Sequence, residues 1–203
     1  MNIDEEKSID SKYGMDTCGR DDSGEDNEHH AYEPTPYDVL GLIAESGFIK
    51  SSDVLVDMGA GKGRASIYFT KETGCKAKGI EYDEAIFKVA ERNIETSKSG
   101  ERVTVINTAA EKYEIDKEDT VFFFFNPFSA KILETVLSNI ENSYYDKRRE
   151  IKLIFYYPSL EYVGRLMTKD YLEFVDEIDC SHLYKDKKGR ECVMIFRVSP
   201  GEF

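Results

Sequence analysis

The sequence predicts an α/β fold, a three-layer α/β/α sandwich around a mostly parallel seven-stranded sheet that ends in an antiparallel β-hairpin. Three observations predict it. Short apolar runs of strand length alternate with amphipathic helical stretches from about residue 32 onward. The run 120–125 carries four consecutive phenylalanines, as a strand covered on both faces would. The last two strand-like segments, 171–179 and 191–198, are joined by a short charged turn at 185–190, which sets them antiparallel.

Each element has its own local reason. Pro36 opens a helical stretch over 37–49, where a missing N–H costs nothing in the first turn, with Val39, Leu40, Leu42, Ile43 and Phe48 as its apolar positions. Val54, Leu55 and Val56 form a buried strand. A glycine cluster follows, then a helix over 64–72 closed by Gly74. Residues 76–82 are the second strand. Asp83 is placed as the N-cap of a helix running to Ser97, with Ala85, Ile86, Val89, Ala90 and Ile94 on one face. Residues 102–107 alternate as a third strand and 120–125 form the fourth. A helix spans 129–145, a fifth strand 151–157, and a short helical turn 160–167 leads into the final pair.

The chain of 203 residues is the length of one domain, and its formal charge is −13. The first thirty residues hold ten acids against three bases and almost no large aliphatics. Such a segment buries too little apolar surface to offset its ordering entropy, so residues 1–31 are expected to be an acidic disordered tail before a domain at 32–203. No net basic field attracts a phosphate backbone, which makes nucleic acid a less expected partner. No apolar run approaches the ~20 residues of a membrane span, and the N-terminus lacks the basic and apolar regions of a signal peptide. Four scattered cysteines without C-x-x-C spacing are expected as free thiols in a reducing cytoplasm. Three histidines, two of them in the acidic segment, make a metal site unexpected.

The most informative stretch runs Asp57-Met58-Gly59-Ala60-Gly61-Lys62-Gly63-Arg64, where a buried strand gives way to a helix. Three glycines in five residues let the backbone turn tightly and approach a ligand closely. The dinucleotide fingerprint G-x-G-x-x-G needs glycine where Arg64 stands, and a phosphate-binding P-loop needs G-K-[ST]. Asp57, two residues before the first glycine, would repel a diphosphate and attract an ammonium group. The loop therefore suits a cationic, phosphate-free nucleoside.

In these residues the chain resembles the class I methyltransferases that use S-adenosyl-L-methionine, whose first motif is [DE]-x-G-x-G-x-G. Asp57, Gly59, Gly61 and Gly63 match it, with Ala60 inside the loop. The resemblance covers about 32–198 and implies a Rossmann-like sheet, with the acid and the loop holding the methionine part of the cofactor. It makes Glu81, at the end of the second strand, the acceptor for the ribose hydroxyls and sets Tyr82 beside adenine. An acid that often meets adenine's amino group after the third strand is replaced here by Ala109. The amide of Ala110 then remains for the adenine, with Asn107 or Glu111 as acceptors. Thr35 and Tyr37 fall in a region that folds over the cofactor in relatives.

Asn126-Pro127-Phe128 follows the fourth strand, where ligands bind in open α/β sheets. Amino-methylating relatives carry [DNS]-P-P-[YFW] there. By that partial likeness Asn126 would accept an amine's hydrogens and Phe128 would contact the acceptor. Asn126 as cap of the next helix, with Pro127 at its first position, is the local alternative. The expected function is transfer of a methyl group to a nucleophile, with nitrogen favoured. A non-catalytic interaction module of the same fold and a small NAD-binding oxidoreductase are the competing readings. The acceptor itself, whether protein, small molecule or RNA, is not legible.

Overall fold

A computed structural model describes residues 3–22, 26, 28–184 and 191–199. Seven strands are present, β1 Val54–Met58, β2 Lys76–Glu81, β3 Val103–Asn107, β4 Val121–Phe124, β5 Lys152–Tyr156, β6 Leu172–Asp179 and β7 Cys192–Val198. The helices are α1 Ile3–Tyr13, α2 Tyr37–Glu45, α3 Arg64–Thr73, α4 Glu84–Ser97, α5 Ala130–Asp146 and α6 Leu160–Leu166. The expected charged turn at 185–190 lies outside the described residues.

The strands form one sheet in the order β3-β2-β1-β4-β5-β7-β6. All neighbours from β3 to β5 are parallel, while β7 runs antiparallel to both β5 and β6. The hairpin is as expected, and its second strand, β7, inserts inward so that β6 forms the edge. Glu173, Asp176, Glu177 and Asp179 on that edge, with a bulge between Phe174 and Asp176, discourage pairing with another sheet. The strand order reverses between β1 and β4, and this reversal opens a crevice beyond their carboxyl ends.

Alternation along the central strands fills both layers. Phe122, Phe124, Leu153 and Phe155 pack with Leu133, Leu137 and Ile140 of α5 on one face, while Leu55, Phe123 and Ile154 pack with Leu40, Ile67 and Phe69 of α2 and α3 on the other. Phe124 stacks on Phe155 with ring centroids 4.4 Å apart, and Phe123 meets Phe69 edge-on at 5.4 Å. The phenylalanine run is therefore core on both sides.

Caps follow the sequence with two corrections. Asp83 Oδ1 accepts the N–H groups of Ala85 and Ile86 at 2.8 and 2.9 Å, as an N-cap should. The helix after β4, however, begins at Ala130 and its cap is Ser129, whose Oγ accepts Ile132 N–H at 3.3 Å. Asn126 stands outside that helix at φ +40°, in a conformation that asparagine tolerates better than most residues. The helix expected over 37–49 ends at Glu45, because Gly47 takes φ +78° and turns the chain.

Of the segment expected as a disordered tail, the described residues 3–22 are folded against the domain. α1 and residues 14–22 form a strap against the start of α2, the length of α3 and the C-terminal half of α4, burying Asp10, Tyr13, Met15 and Thr17. Asp16 N–H donates to Asn93 Oδ1 at 2.9 Å, and Asn93 Nδ2 returns a bond to Asp16 O at 3.2 Å. The centre of the strap is Arg64, only 2% exposed. Its guanidinium donates to Thr17 Oγ1 at 2.7 Å, Glu6 Oε2 at 3.1 Å and Thr35 O at 3.2 Å, and lies 3.6 Å from Asp10 Oδ1. It also sits 4.4 Å from the ring centroid of Tyr37. A buried charge must be paired, and the acids that make this segment look unfoldable by composition are what pair it.

Candidate functional site

The crevice at the reversal of strand order is built from four short segments. Beyond β1, Gly59 takes φ +83° and Gly61 φ +55°, so the chain doubles back with its amides directed at β2. The N–H groups of Gly59 and Ala60 both donate to Ile80 O, at 3.0 and 2.9 Å, and Gly61 N–H donates to Glu81 Oε2 at 2.8 Å. The absent side chains are needed for space. A Cβ on Gly59 would lie 2.3 Å from Pro127 Cβ, and one on Gly61 would lie 2.1 Å from Tyr32 Cδ2.

Two carboxylates face this loop from inside the protein. Asp57, 3% exposed at the end of β1, accepts the hydroxyl of Ser66 at 2.7 Å and its N–H at 3.2 Å. Burial pushes its carboxyl up to about 6, against the pull of the Ser66 hydrogen bonds. Glu81, 8% exposed, accepts Gly61 N–H on one oxygen and Asp83 N–H, at 2.8 Å, on the other. Burial raises its pKa as well. Asp57, Gly59, Ala60, Gly61, Glu81, Tyr82, Ala110, Pro127 and Phe128 thus all line one crevice. Asn107 is drawn away from it, bracing the carbonyls of Glu81 and Tyr82 at 2.9 and 3.0 Å.

Other expected site residues lie elsewhere. Tyr37 is buried beneath Arg64 and its hydroxyl donates to Asp10, which makes it part of the strap's anchorage and removes it from the crevice. Gly63 is the N-cap of α3, and the space beside it belongs to Ala90 and Ile67. The ring of Phe128 is buried against Phe124, edge-on at 6.4 Å, so it forms wall and presents no exposed face. Asn126 lines a second cavity behind the crevice. Its amide nitrogen donates to Tyr157 O, and its Oδ1 accepts Ser159 N–H at 3.1 Å, tying the ends of β4 and β5 together. One lone pair of that oxygen remains for another donor.

The cover over the crevice comes from the chain just before α2, which includes Thr35 and extends back to His29. Residues 29–35 close the crevice, with the ring of Tyr32 over Gly61 and the imidazole of His29 stacked flat on Tyr82 at 4.0 Å and 3°. What remains inside is a cavity of about 80 Å³. Small-molecule sites typically offer about 300–1,000 Å³. A nucleoside-sized ligand in this crevice would have to displace part of residues 29–35, and His29 is the group that now covers Tyr82. The composition of residues 1–31 hid this, although Tyr32 through Tyr37, with prolines at 34 and 36, is the kind of stiff, aromatic stretch that packs.

Among the described residues, no group of three metal-ligating side chains could hold a metal ion, and no helix is long and apolar enough to cross a membrane. Cys75, Cys180 and Cys192 are buried thiols and Cys18 is half-buried.

No protein-family model matches this sequence, and no curated protein matches it either. The architecture, by contrast, is the Rossmann-like fold of S-adenosylmethionine-dependent methyltransferases. An RNA methyltransferase from Salinibacter ruber, solved in complex with S-adenosyl-L-homocysteine, superposes with a TM-score of 0.59 at 20% identity, over 84% of this chain and 96% of its own. A precorrin-6y C5,15-methyltransferase from Geobacter metallireducens gives 0.61 at 16% identity, over 83% of this chain and 90% of its own. A SAM-dependent O-methyltransferase from Thermotoga maritima gives 0.62 at 15% identity, over 85% and 68%. At such identities the likeness establishes the fold, and these three proteins differ among themselves in acceptor.

Proposed function

We propose that the protein is an S-adenosyl-L-methionine-dependent methyltransferase whose acceptor atom is nitrogen. The observation that carries the reading is the pair of buried carboxylates, Asp57 and Glu81, on either side of a glycine loop whose own side-chain space is taken by Tyr32 and Pro127. Two anions at that depth oppose a diphosphate, which disfavours the NAD-binding alternative. They suit an ammonium group and a ribose diol. Among the described residues, the one guanidinium or ammonium in the crevice wall, that of Arg64, is already committed to Glu6, Asp10, Thr17 and Thr35.

The cradle fits the cofactor in chemistry as well as in fold. Asp57 would hold its amino group, the backbone around Gly59 and Gly61 would lie against its methionine chain, Glu81 would accept the ribose hydroxyls, and Tyr82 with Ala110 would bracket the adenine. When bound, the cofactor supplies a methyl group on a cationic sulfur, so the protein's own task is to place a neutral nucleophile in line with it. Such placement alone lowers a barrier by about 7–11 kcal/mol, and neither a metal nor a covalent enzyme intermediate is required.

Calorimetry tests the reading. S-adenosyl-L-methionine and S-adenosyl-L-homocysteine should bind and NAD should not. Asp57→Ala and Glu81→Ala should each weaken cofactor binding by more than about tenfold, with circular dichroism unchanged. Undiminished affinity in both variants, or preferential NAD binding, would show that the ligand lies elsewhere.

Acidity gives a second readout. In the free protein Asp57 carries its proton up to about pH 6, and an ammonium group beside it favours the carboxylate, so binding below that pH must expel a proton. Affinity should therefore be flat above about pH 7 and fall by up to ~tenfold per pH unit below 6. Asp57→Asn, which cannot titrate, should bind weakly at every pH with that slope removed. A wild-type affinity that is level from pH 7 to 5 would rule out Asp57 as the ammonium's partner.

A further inference from the structure

Behind the crevice, across the bend at Asn126, lies a second cavity of about 510 Å³. The two spaces share His30, Ala31, Glu33 and Phe125, so they adjoin along this stretch of chain. The far side of the second cavity is aromatic. Phe125 and Tyr156 are tilted rings 4.6 Å apart, Tyr157 lies 6.3 Å from Tyr156, and the hydroxyls of Tyr156 and Tyr184 are 2.7 Å apart. Glu191 reaches the Tyr156 hydroxyl at 3.4 Å, and Glu33 stands on the strap side. Arg20, the one cation in this wall among the described residues, is held by Asp22 at 2.5 Å and lies 4.0 Å from Glu33. Ring faces and carboxylates in excess over an already paired cation describe a place for a positive charge.

The shared wall carries an imidazole in a defined protonation pattern. His30 Nδ1 lies 2.7 Å from Asn126 O, and His30 N–H donates to Pro127 O at 3.1 Å. A carbonyl only accepts, so Nδ1 holds a hydrogen in either charge state of the ring. The neutral ring therefore has its free lone pair on Nε2.

We propose that this second cavity is the acceptor site for an alkylamine that arrives as its ammonium ion, and that His30 is the catalytic base that takes its proton. The proposal rests on the methyltransferase reading and names its substrate class. The steps balance as follows. Neutral His30 Nε2 accepts one proton from R–NH₃⁺, giving R–NH₂ and imidazolium. The amine lone pair then forms the N–CH₃ bond while the C–S bond breaks with its electron pair left on sulfur. The product leaves as R–NH₂CH₃⁺, and the imidazolium returns its proton to water. Without the base, an amine below its own pKa has no lone pair to offer.

The test begins with binding, using the full chain without cofactor and two probes of equal shape, n-butylammonium and butan-1-ol, followed by NMR titration. The ammonium should bind at least about tenfold more tightly than the alcohol, and Glu191→Gln and Tyr157→Leu should each reduce that preference severalfold. Labelled-methyl transfer to n-butylamine at saturating cofactor should drop at least ~100-fold in His30→Gln near pH 7, and recover at a pH above the amine's own pKa. Equal binding of the two probes, or labelled-methyl transfer to n-butylamine undiminished in His30→Gln near pH 7, would overturn the proposal. Failure of the cofactor to bind would overturn the methyltransferase reading instead, and the probe titration is independent of it.

Discussion

Replacing Asp10 by alanine should cost the fold about 3–5 kcal/mol, the penalty for breaking a buried ion-pair network and leaving several buried donors unsatisfied. Asp10 accepts Thr17 N–H at 2.5 Å, Thr17 Oγ1 at 2.7 Å, Cys18 N–H at 3.1 Å and the hydroxyl of Tyr37, besides facing Arg64. Burial works to raise its pKa, but these hydrogen bonds and the guanidinium together hold it below the ordinary value. An acid with a depressed pKa in the fold stabilises that fold above its unfolded pKa. The contribution is lost as pH falls through the lower, folded value. The variant should therefore melt roughly 6–20 °C below the parent at neutral pH, with the gap narrowing in strong acid. A shift under 1 °C at pH 7 would show that the strap is not clamped. Where the loss is local, amide exchange in α1 should accelerate while that in β4 does not.

The second large effect falls on the loop. Gly59→Ala puts a Cβ 2.3 Å from that of Pro127 and a non-glycine residue at φ +83°. The left-handed conformation costs about 1–2 kcal/mol and the overpacking about 1–3 kcal/mol more. Both costs are borne where the cofactor's methionine chain is proposed to lie, so affinity for S-adenosyl-L-methionine should fall at least ~30-fold. Gly164→Ala, in α6 with nothing within 4 Å of the new Cβ, is the matched control and should leave affinity unchanged. Equal affinities for the parent and Gly59→Ala would mean that Pro127 and the loop yield freely.

The sheet and the acid–glycine–acid pattern were legible because each is written locally. Strands announce themselves by apolar runs, and Asp57 and Glu81 by their places at strand ends beside the glycines. The hairpin followed from a short turn between two strand-like segments. The strap was not legible, because composition averages over a segment while its folding depends on single partners. Asp10 and Glu6 look like two more surface acids until Arg64 is known to be buried. Arg64 itself read only as a glycine missing from a dinucleotide motif. Tyr37 and Asn126 owe their expected places to analogy. The side chain of Tyr37 serves anchorage under the strap, whereas that of Asn126 ties the ends of β4 and β5 in the wall of the second cavity.

His30, Ala31 and Glu33 line both spaces, and on the proposed reading this would impose a sequence on catalysis. Admitting the nucleoside would mean lifting the same short piece of chain that borders the amine's compartment. That compartment would be whole only after residues 29–35 settle again beside the bound cofactor. The kinetic scheme expected from the proposal is compulsory-order, with the nucleoside first on and its demethylated form last off. An amine analogue would then compete with acceptor while being uncompetitive toward the methyl donor.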